Sequence, residues 1–127
     1  MGSAEIYAVV EQLPEVRDSL VVGVDRPGGT YLMPLFIVPA VGTRVDADLA
    51  ARIRAALRSQ LSPRHVPDEI VGIRAVPRTL TGKKLEVPVK RILQGADPAA
   101  VAAPGAVSDH DMLAWFAEWA AQRAGSR

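Results

Sequence analysis

Apolar residues recur at helical spacing in two parts of the first half of the chain. In the first part, Ser3 can cap a helix that runs to about Leu13, and Pro14 ends it because proline cannot continue a helix. In the second part, a helix begins at Asp46 or Asp48. Its apolar face has a leucine or isoleucine at every fourth position, namely Leu49, Ile53, Leu57 and Leu61. We therefore expect two amphipathic helices.

Three short apolar runs predict β-strands instead. The runs 18–24, 31–39 and 69–76 are rich in Val, Ile and Leu and are bounded by glycine, proline or polar residues. The first two flank a Gly- and Pro-rich turn at 25–30, so we expect them to lie opposite each other. Pro34 interrupts the second run and favours an edge position or a bulge, because proline cannot donate to a β-ladder.

The last third of the chain combines two shorter helical patterns with an irregular segment. Pro88 suits the first turn of a short helix that ends at Leu93. Positions 95–107 are rich in Ala, Pro and Gly, and we interpret them as a surface linker. Ser108 with Asp111 resembles a capping box that starts a final helix. The apolar stripe of that helix consists of Met112, Leu113, Phe116, Trp119 and Ala120.

The order and composition of these segments predict one α+β domain. Four helices and three strands do not alternate strictly, so we expect a small, largely antiparallel three-stranded sheet flanked by helices. The length of 127 residues suits a single domain over 1–127, and 49% hydrophobic residues can supply its core. No apolar run approaches the roughly 20 residues of a membrane span, and the start is not a signal peptide. We therefore expect a cytoplasmic protein without membrane contact.

The sequence offers few residues that could bind a metal ion or form a disulfide bond. There is no cysteine, and the two histidines, His65 and His110, are far apart. We expect no metal site in the chain and interpret His65 as structural.

Positive charge is concentrated around one loop. The net charge of the chain is +1, but positions 71–94 carry six basic residues and one acidic residue. All three lysines, Lys83, Lys84 and Lys90, lie in this stretch. Either the lysines cluster by chance, or the loop meets phosphate or carboxylate groups. A nucleic-acid interface is the weaker interpretation, because the stretch has no aromatic residues on which bases could stack.

The loop at 77–84 (PRTLTGKK) offers groups that suit an anionic ligand. It is not a P-loop, because that motif needs a glycine where this chain has Pro77 and a Ser or Thr where it has a second lysine. Gly82 lets the backbone bend sharply and approach a ligand, and Thr81 adds a hydroxyl. Lys83 carries a compact charge on a flexible stem. These residue types fit an ammonium group delivered to oxyanions, and they also fit an ordinary solvated loop.

The same loop resembles the last core motif of the adenylate-forming enzymes, Pro-(Lys/Arg)-Thr-x-(Ser/Thr)-Gly-Lys. This family includes the acyl-CoA synthetases. Further segments are similar to the C-terminal domain of these enzymes, so that the resemblance covers nearly the whole chain. These segments are 2–6 (GSAEI), 14–16 (PEV), 18–23 (DSLVVG), 61–63 (LSP) and 66–68 (VPD). The stretch 83–93 (KKLEVPVKRIL) looks like that of acetoacetyl-CoA synthetases.

The resemblance implies the mobile C-terminal domain of a two-domain ligase. A large N-terminal domain would use ATP and Mg²⁺ to form an acyl-AMP, and coenzyme A would attack this intermediate after the small domain rotates. Lys83 would be the catalytic residue that bridges the carboxylate and the α-phosphate, with Thr81 and Gly82 beside it as ligand-binding positions. Arg58 would contact the 3′-phosphate of coenzyme A, and Arg54, one turn away, competes for this role.

Some functional residues of that family cannot be assigned to positions in this chain. Glu86 stands where many acetyl-CoA synthetases have a basic residue, so the contacts of that basic residue are not assigned here. The nucleotide-contacting arginine, the hinge residue and the phosphate loop would all precede residue 1. We therefore expect that this chain alone does not form acyl-AMP.

A function from a different class uses the same lysine. Related synthetases are inactivated when a Gcn5-type acetyltransferase acetylates this position, and a deacetylase restores them, so the resemblance also implies that Lys83 is a modification site. The expected partners are the N-terminal domain, the acetyltransferase and the deacetylase. Acetoacetate as the acyl substrate is implied only by the resemblance of 85–93.

Overall fold

The computed structural model describes residues 3–25, 29, 31–102 and 104–125. Within them the helices are α1 (Ser3–Val10), α2 (Ala47–Gln60), α3 (Glu86–Leu93), α4 (Pro98–Val101) and α5 (His110–Gly125). The strands are β1 (Val16–Val21), β2 (Val24–Asp25), β3 (Tyr31–Leu32), β4 (Pro34–Pro39) and β5 (Glu69–Gly72). Short 3-10 turns lie at Pro63–His65 and Pro104–Ala106. The predicted α+β class with a three-stranded sheet is confirmed.

The chain divides into two compact units. The first comprises Met1–Val21 and Leu32–Arg74, and it contains the three-stranded sheet with α1 and α2. The second comprises Val22–Tyr31 and Ala75–Arg127, and it contains α3, α4 and α5. A single functional domain over 1–127 stays a prediction. In the described part of the chain, no helix combines the length and the apolar character that crossing a membrane requires.

Strand β4 is the centre of the sheet in the first unit. The strand order is β1-β4-β5, and β4 runs antiparallel to β1 and parallel to β5. All residues from Pro34 to Val38 are buried, as expected for a strand that is covered on both faces. Helix α1 packs against α2 and β1. The resulting core consists of Ile6, Val9, Val10, Val16, Val21, Met33, Leu35, Ile37, Leu49, Ile53 and Leu57.

Neither alternative predicted for Pro34, an edge position or a bulge, is found, since β4 is the central strand and the irregularity in its pairing with β1 lies at Val16/Asp18. Pro34 divides the predicted 31–39 strand into β3 and β4, and it is the first residue of the central strand, a position that proline tolerates. At the division, the Met33 N–H donates to Asp68 Oδ2 at 2.6 Å, and the Met33 carbonyl accepts from the Asp68 N–H at 3.1 Å. Asp68 therefore satisfies the backbone groups of the residue that lies between the two strands.

Three boundaries in the first unit also differ from the prediction. Helix α1 ends at Val10, earlier than predicted, because Leu13 precedes Pro14 and a residue before proline avoids the helical region. The turn that follows is closed by a hydrogen bond between residues three apart, from Leu13 N to Val10 O at 3.2 Å. Strand β1 begins at Val16, with an irregularity in its pairing before Asp18, and it ends at Val21. Of the predicted turn at 25–30, positions 26–28 and 30 lie outside the described residues.

Strand β5 is shorter than predicted because its partner strand ends in a proline. The last bond beside this ladder runs from Ile73 N to Ile37 O at 2.8 Å. The next bond of a parallel ladder would need an N–H from Pro39, which has none. The chain therefore leaves the sheet before Val76, the predicted end of the strand.

In the second unit, α3, α4 and α5 pack against one another. Pro88 lies in the first turn of α3, as predicted, and the stripe of α5 buries Met112, Leu113 and Phe116. The segment 95–107, expected as a linker, contains α4, a 3-10 turn and a buried valine. This segment is therefore more ordered than its Ala, Pro and Gly content suggests.

Helix α2 is capped and anchored by charged groups. Asp46, one of the two residues predicted to start it, is its N-cap and accepts a hydrogen bond from Leu49 N at 2.9 Å. Arg52 forms ion pairs with Asp48 at 3.2 Å and with Glu15, which precedes β1, at 2.8 Å. The hydrogen bond from Arg52 lowers the pKa of Glu15 below its ordinary value of 4.5. The Arg52–Glu15 ion pair thus connects α2 to the start of the sheet.

Replacing Arg52 by glutamine should destabilise the chain at neutral pH but not in acid. Because the folded-state pKa of Glu15 is lowered, the ion pair stabilises the fold above the unfolded-state pKa, and this contribution is lost as the pH falls through the folded-state value. Urea denaturation of both proteins between about pH 7 and about pH 3 measures the difference. Arg54→Gln, on the same helix, is the control and should show no such pH dependence; equal curves for the two variants would contradict the assignment.

Candidate functional site

The basic loop at 77–84 is a tight hairpin in the second unit. Arg78 and Lys84 form an antiparallel bridge, and Leu85 N donates to Pro77 O at 3.1 Å. Above this bridge, Thr79 N donates to the carbonyl of the candidate lysine, Lys83, at 2.8 Å. The lysine therefore lies on the returning arm of the hairpin, directly after its turn.

The geometry of the turn requires glycine at position 82. Gly82 N donates to Thr79 O at 2.9 Å, which closes a four-residue turn, and Gly82 itself has a φ of +96°. A turn followed by a residue with positive φ is the usual way to build a three-residue hairpin loop, and glycine adopts this conformation without a steric penalty. The predicted sharp bend at Gly82 is therefore present.

Side chains fix the main chain on both sides of the turn. Thr79 Oγ1 accepts from Lys83 N at 3.0 Å and lies 3.0 Å from Thr81 Oγ1. Arg78 Nη1 donates to Gly82 O at 2.8 Å. Both bonds end at the main chain immediately around the lysine. The Thr79 hydroxyl therefore holds the Lys83 backbone.

The side chain of Lys83, in contrast, is unrestrained. Lys83 is exposed, and no hydrogen bond or ion pair reaches its ammonium group from the described residues. Lys84 is only partly exposed and has interactions of its own. Leu80 at the turn is 72% exposed and brings no competing charge. The hairpin therefore presents one cation that can meet an anion without first breaking a bond.

The hydroxyl of Ser108 does not act as the sequence suggested. Helix α5 begins at His110, one residue later than a Ser108 cap would place it. Ser108 Oγ instead accepts from Arg78 N at 3.1 Å, and Ser108 N donates to Arg78 O at 2.9 Å. The capping-box interpretation is therefore replaced by a contact with the lysine hairpin, which the spacing along the chain could not indicate.

The second candidate residue, Arg58, lies in the last turn of α2 in the first unit. Its side chain is exposed, and that of Arg54 is partly buried. Neither guanidinium has a partner within the described residues. The greater exposure of Arg58 favours it over Arg54 as the residue that meets a ligand, in line with the order proposed from the sequence.

His65 has the environment of a structural residue. Its Nδ1 atom lies 2.8 Å from Ser62 Oγ. Its Nε2 atom is buried and finds no partner in the described part of the chain. The buried Nε2 atom is therefore shielded from solvent, and Nδ1 contacts a neighbouring hydroxyl, which agrees with the interpretation of His65 as structural. Among the described residues, no cluster of three or more acidic, histidine or cysteine side chains could hold a metal ion.

Comparison with known proteins agrees with the motif. Residues 5–83, which end at the lysine, match the AMP-binding enzyme C-terminal domain family. The chain belongs to this family. The predicted resemblance to the C-terminal domain of adenylate-forming enzymes is thereby confirmed.

Several relatives of this AMP-binding C-terminal domain are known. It is 42% identical over 124 residues to malonamoyl-CoA synthetase of Penicillium aethiopicum and 47% identical over 94 residues to acetoacetyl-CoA synthetase of Mus musculus. These matches cover 95% and 74% of this chain, but 17% and 14% of the relatives. The solved structure of acetoacetyl-CoA synthetase from Streptomyces lividans matches 97% of this chain with a TM-score of 0.87 and 48% identity. The chain spans 18% of that protein.

Replacing Gly82 by alanine should destabilise the hairpin, although there is room for the methyl group. A Cβ at Gly82 would have no atom within 4 Å, so the penalty of about 1–2 kcal/mol arises from the positive φ alone. Urea denaturation measures this loss in the free energy of unfolding. Gly105→Ala is the matched control, because Gly105 also has open space but no positive φ, and its change should stay within about 0.5 kcal/mol. Equal losses in the two variants would refute the assigned role of φ.

Proposed function

We propose that this chain is the mobile C-terminal domain of an acyl-CoA synthetase and that Lys83 is its catalytic residue. The observation that carries the proposal is the exposed Lys83 ammonium group, without a partner among the described residues, on a hairpin whose main chain is fixed on both sides. The family membership of residues 5–83 supports it. A fixed main chain together with an unrestrained ammonium group suits a lysine that enters an active site on another domain.

The proposed chemistry brings two anions together. A carboxylate oxygen of the acid attacks the α-phosphorus of ATP, the bond to the pyrophosphate oxygen breaks, and acyl-AMP and pyrophosphate result. Lys83 would contact both the carboxylate and the α-phosphate. Its positive charge offsets their repulsion and stabilises the negative charge of the transition state. Gly82 and Thr81 would lie beside the nucleotide, where the absence of a side chain at Gly82 permits close approach.

Arg58 would act in the second half-reaction, in which the thiol of coenzyme A displaces AMP. Its exposed guanidinium at the end of α2 suits the 3′-phosphate of coenzyme A, because arginine can donate two parallel hydrogen bonds to phosphate oxygens. Arg54 is less exposed and is the weaker candidate.

The substrate would be a short acid with a second carbonyl group. Acetoacetyl-CoA and malonamoyl-CoA, the products named for the relatives, both carry a carbonyl two carbons from the thioester carbonyl. Acetoacetate is our first choice, because the resemblance in 85–93 and the match with 48% identity point to the same enzyme. The acyl pocket itself would belong to the N-terminal domain.

The remaining parts of the reaction would come from that N-terminal domain, which is the proposed partner of this chain. It would hold ATP and the Mg²⁺ ion that neutralises the phosphates, and it would supply the phosphate loop. The chain alone would therefore be inactive. We place the whole enzyme in the cytoplasm, with no nucleic-acid or membrane partner.

Replacing Lys83 by alanine in the full-length synthetase should slow adenylation by about 100-fold or more, because the charge that stabilises the transition state is lost. Exchange of labelled pyrophosphate into ATP, dependent on acetoacetate, measures this step. Thioester formation from preformed acyl-AMP should remain, since Lys83 acts before it.

Lys90→Ala is the matched control, because Lys90 lies in the last turn of α3 and has no assigned role. An adenylation rate that is unchanged by Lys83→Ala, or equally reduced by Lys90→Ala, would refute the proposed role of Lys83.

A second candidate function makes the same loop a substrate of a Gcn5-type lysine acetyltransferase, with a deacetylase reversing the modification. The observation that favours it is the contrast between the exposed Lys83 and the partly exposed Lys84 and Lys90. Transfer of the acetyl group from acetyl-CoA to Lys83 Nζ would release coenzyme A and a proton. The resulting amide would be neutral, and the ligase would lose its catalytic charge.

Acetylation should be confined to Lys83, and mass spectrometry can test this directly because the chain has only three lysines. Incubation with acetyl-CoA and a Gcn5-type acetyltransferase from the same organism should add one acetyl group, which Lys83→Ala abolishes and Lys90→Arg does not. Equal acetylation of all three lysines, or none, would eliminate this second function.

A further inference from the structure

Residues 107–108 pair with the first arm of the hairpin that carries Lys83. Thr79 forms an antiparallel bridge with Val107. Both backbone groups of Arg78 are bonded to Ser108, since Arg78 N donates to Ser108 Oγ at 3.1 Å and Arg78 O accepts from Ser108 N at 2.9 Å. The pair 78–79 therefore lies between the arm that bears the lysine and the segment 107–108.

This pairing matters because a two-stranded hairpin is only marginally stable by itself in water. Val107, which is 8% exposed, buries apolar surface beside it. The bonds then continue through Arg78, whose guanidinium holds the carbonyl of Gly82, the residue directly before Lys83. Ser108 is thus connected, through Arg78, to the peptide bond that joins Gly82 to Lys83.

We propose that Ser108 is a positioning residue for Lys83. It touches no reacting group, and it acts by fixing Arg78 and, through it, the turn from which the ammonium group projects. Ser108 lies outside the residues 5–83 that match the family model, so the motif that identifies Lys83 does not include it. The inference rests on the proposed role of Lys83 in adenylation.

The test measures the two half-reactions of the full-length synthetase separately. Ser108→Ala removes one of the two bonds to Arg78 and should slow adenylation about three- to tenfold, the effect of one hydrogen bond. Thioester formation from preformed acyl-AMP should change less than about twofold, because Lys83 takes no part in it. Ser108→Thr keeps the hydroxyl and should restore adenylation.

Ser59→Ala is the matched control, because Ser59 is also exposed and, among the residues that the structure describes, its hydroxyl bonds to Ala56 O on its own helix, at 3.3 Å. It should leave both half-reactions unchanged. Equal slowing of both half-reactions by Ser108→Ala would show a merely structural role and would overturn the inference, as would an unchanged adenylation rate.

A double-mutant cycle decides whether Ser108 acts through Lys83. In the Lys83→Ala background, Ser108→Ala should cause no further loss of the residual adenylation rate, because the group it positions is gone. A full three- to tenfold additional loss would overturn the inference.

Amide hydrogen exchange gives a readout that does not depend on the chemistry. Ser108→Ala should speed exchange at Arg78 N–H and also at Lys83 N–H, and faster exchange at Arg78 alone would refute the transmission to the lysine. The two proposals fail differently. If Lys83→Ala leaves adenylation intact, the proposed function is wrong; if it slows adenylation and Ser108→Ala does not, only the inference is wrong.

Discussion

Strand β4 must bury both of its faces, and the arrangement of the first unit follows from this constraint. Its sequence, PLFIVP, has no polar side chain, so both faces of the strand need to be covered. Its buried backbone groups also need hydrogen-bond partners, which a neighbouring strand on each edge supplies. The parallel neighbour β5 requires a long crossover, which is why α2 lies between the two strands along the chain. Pro39 then ends the pairing with β5, and the chain leaves the sheet after Ile73 to enter the segment before the basic hairpin.

The hairpin combines a restrained backbone with an unrestrained charge, and both properties serve the proposed chemistry. Ordering a long lysine side chain costs roughly 1.5–2 kcal/mol in conformational entropy. If the main chain of Lys83 were also flexible, each binding event would carry the additional entropic cost of ordering that main chain. The bonds from Thr79 to Lys83 and from Arg78 to Gly82 fix those backbone angles before any ligand arrives. Such prior ordering is the usual source of the rate advantage of positioned groups.

The accuracy of prediction from the sequence depended on how local the deciding interaction is. Helix α2 was predicted, with its start narrowed to Asp46 or Asp48, because both the cap and the apolar period lie within a few residues. The end of β5 was missed because it is set by Pro39, a residue on the partner strand. The edge assignment of Pro34 failed because the rule concerns the interior of a strand, and only the full sheet shows where a strand begins. The sharp bend at Gly82 was predicted because glycine alone indicates it, whereas the pairing of Arg78 with Lys84 that makes the loop a hairpin was not predicted.

The role of Ser108 shows what a motif cannot transfer. The residues of the proposed catalytic motif, from Pro77 to Lys83, are contiguous and lie within residues 5–83, which match the family model. The residue that completes the hydrogen bonds of Arg78 is 30 positions away along the chain and outside that region. Its hydroxyl could also have capped α5, and only the tertiary structure decides between the two uses. A candidate catalytic group can therefore be proposed from a short motif, whereas the restraint on its backbone depends on the residues that the rest of the chain places beside it.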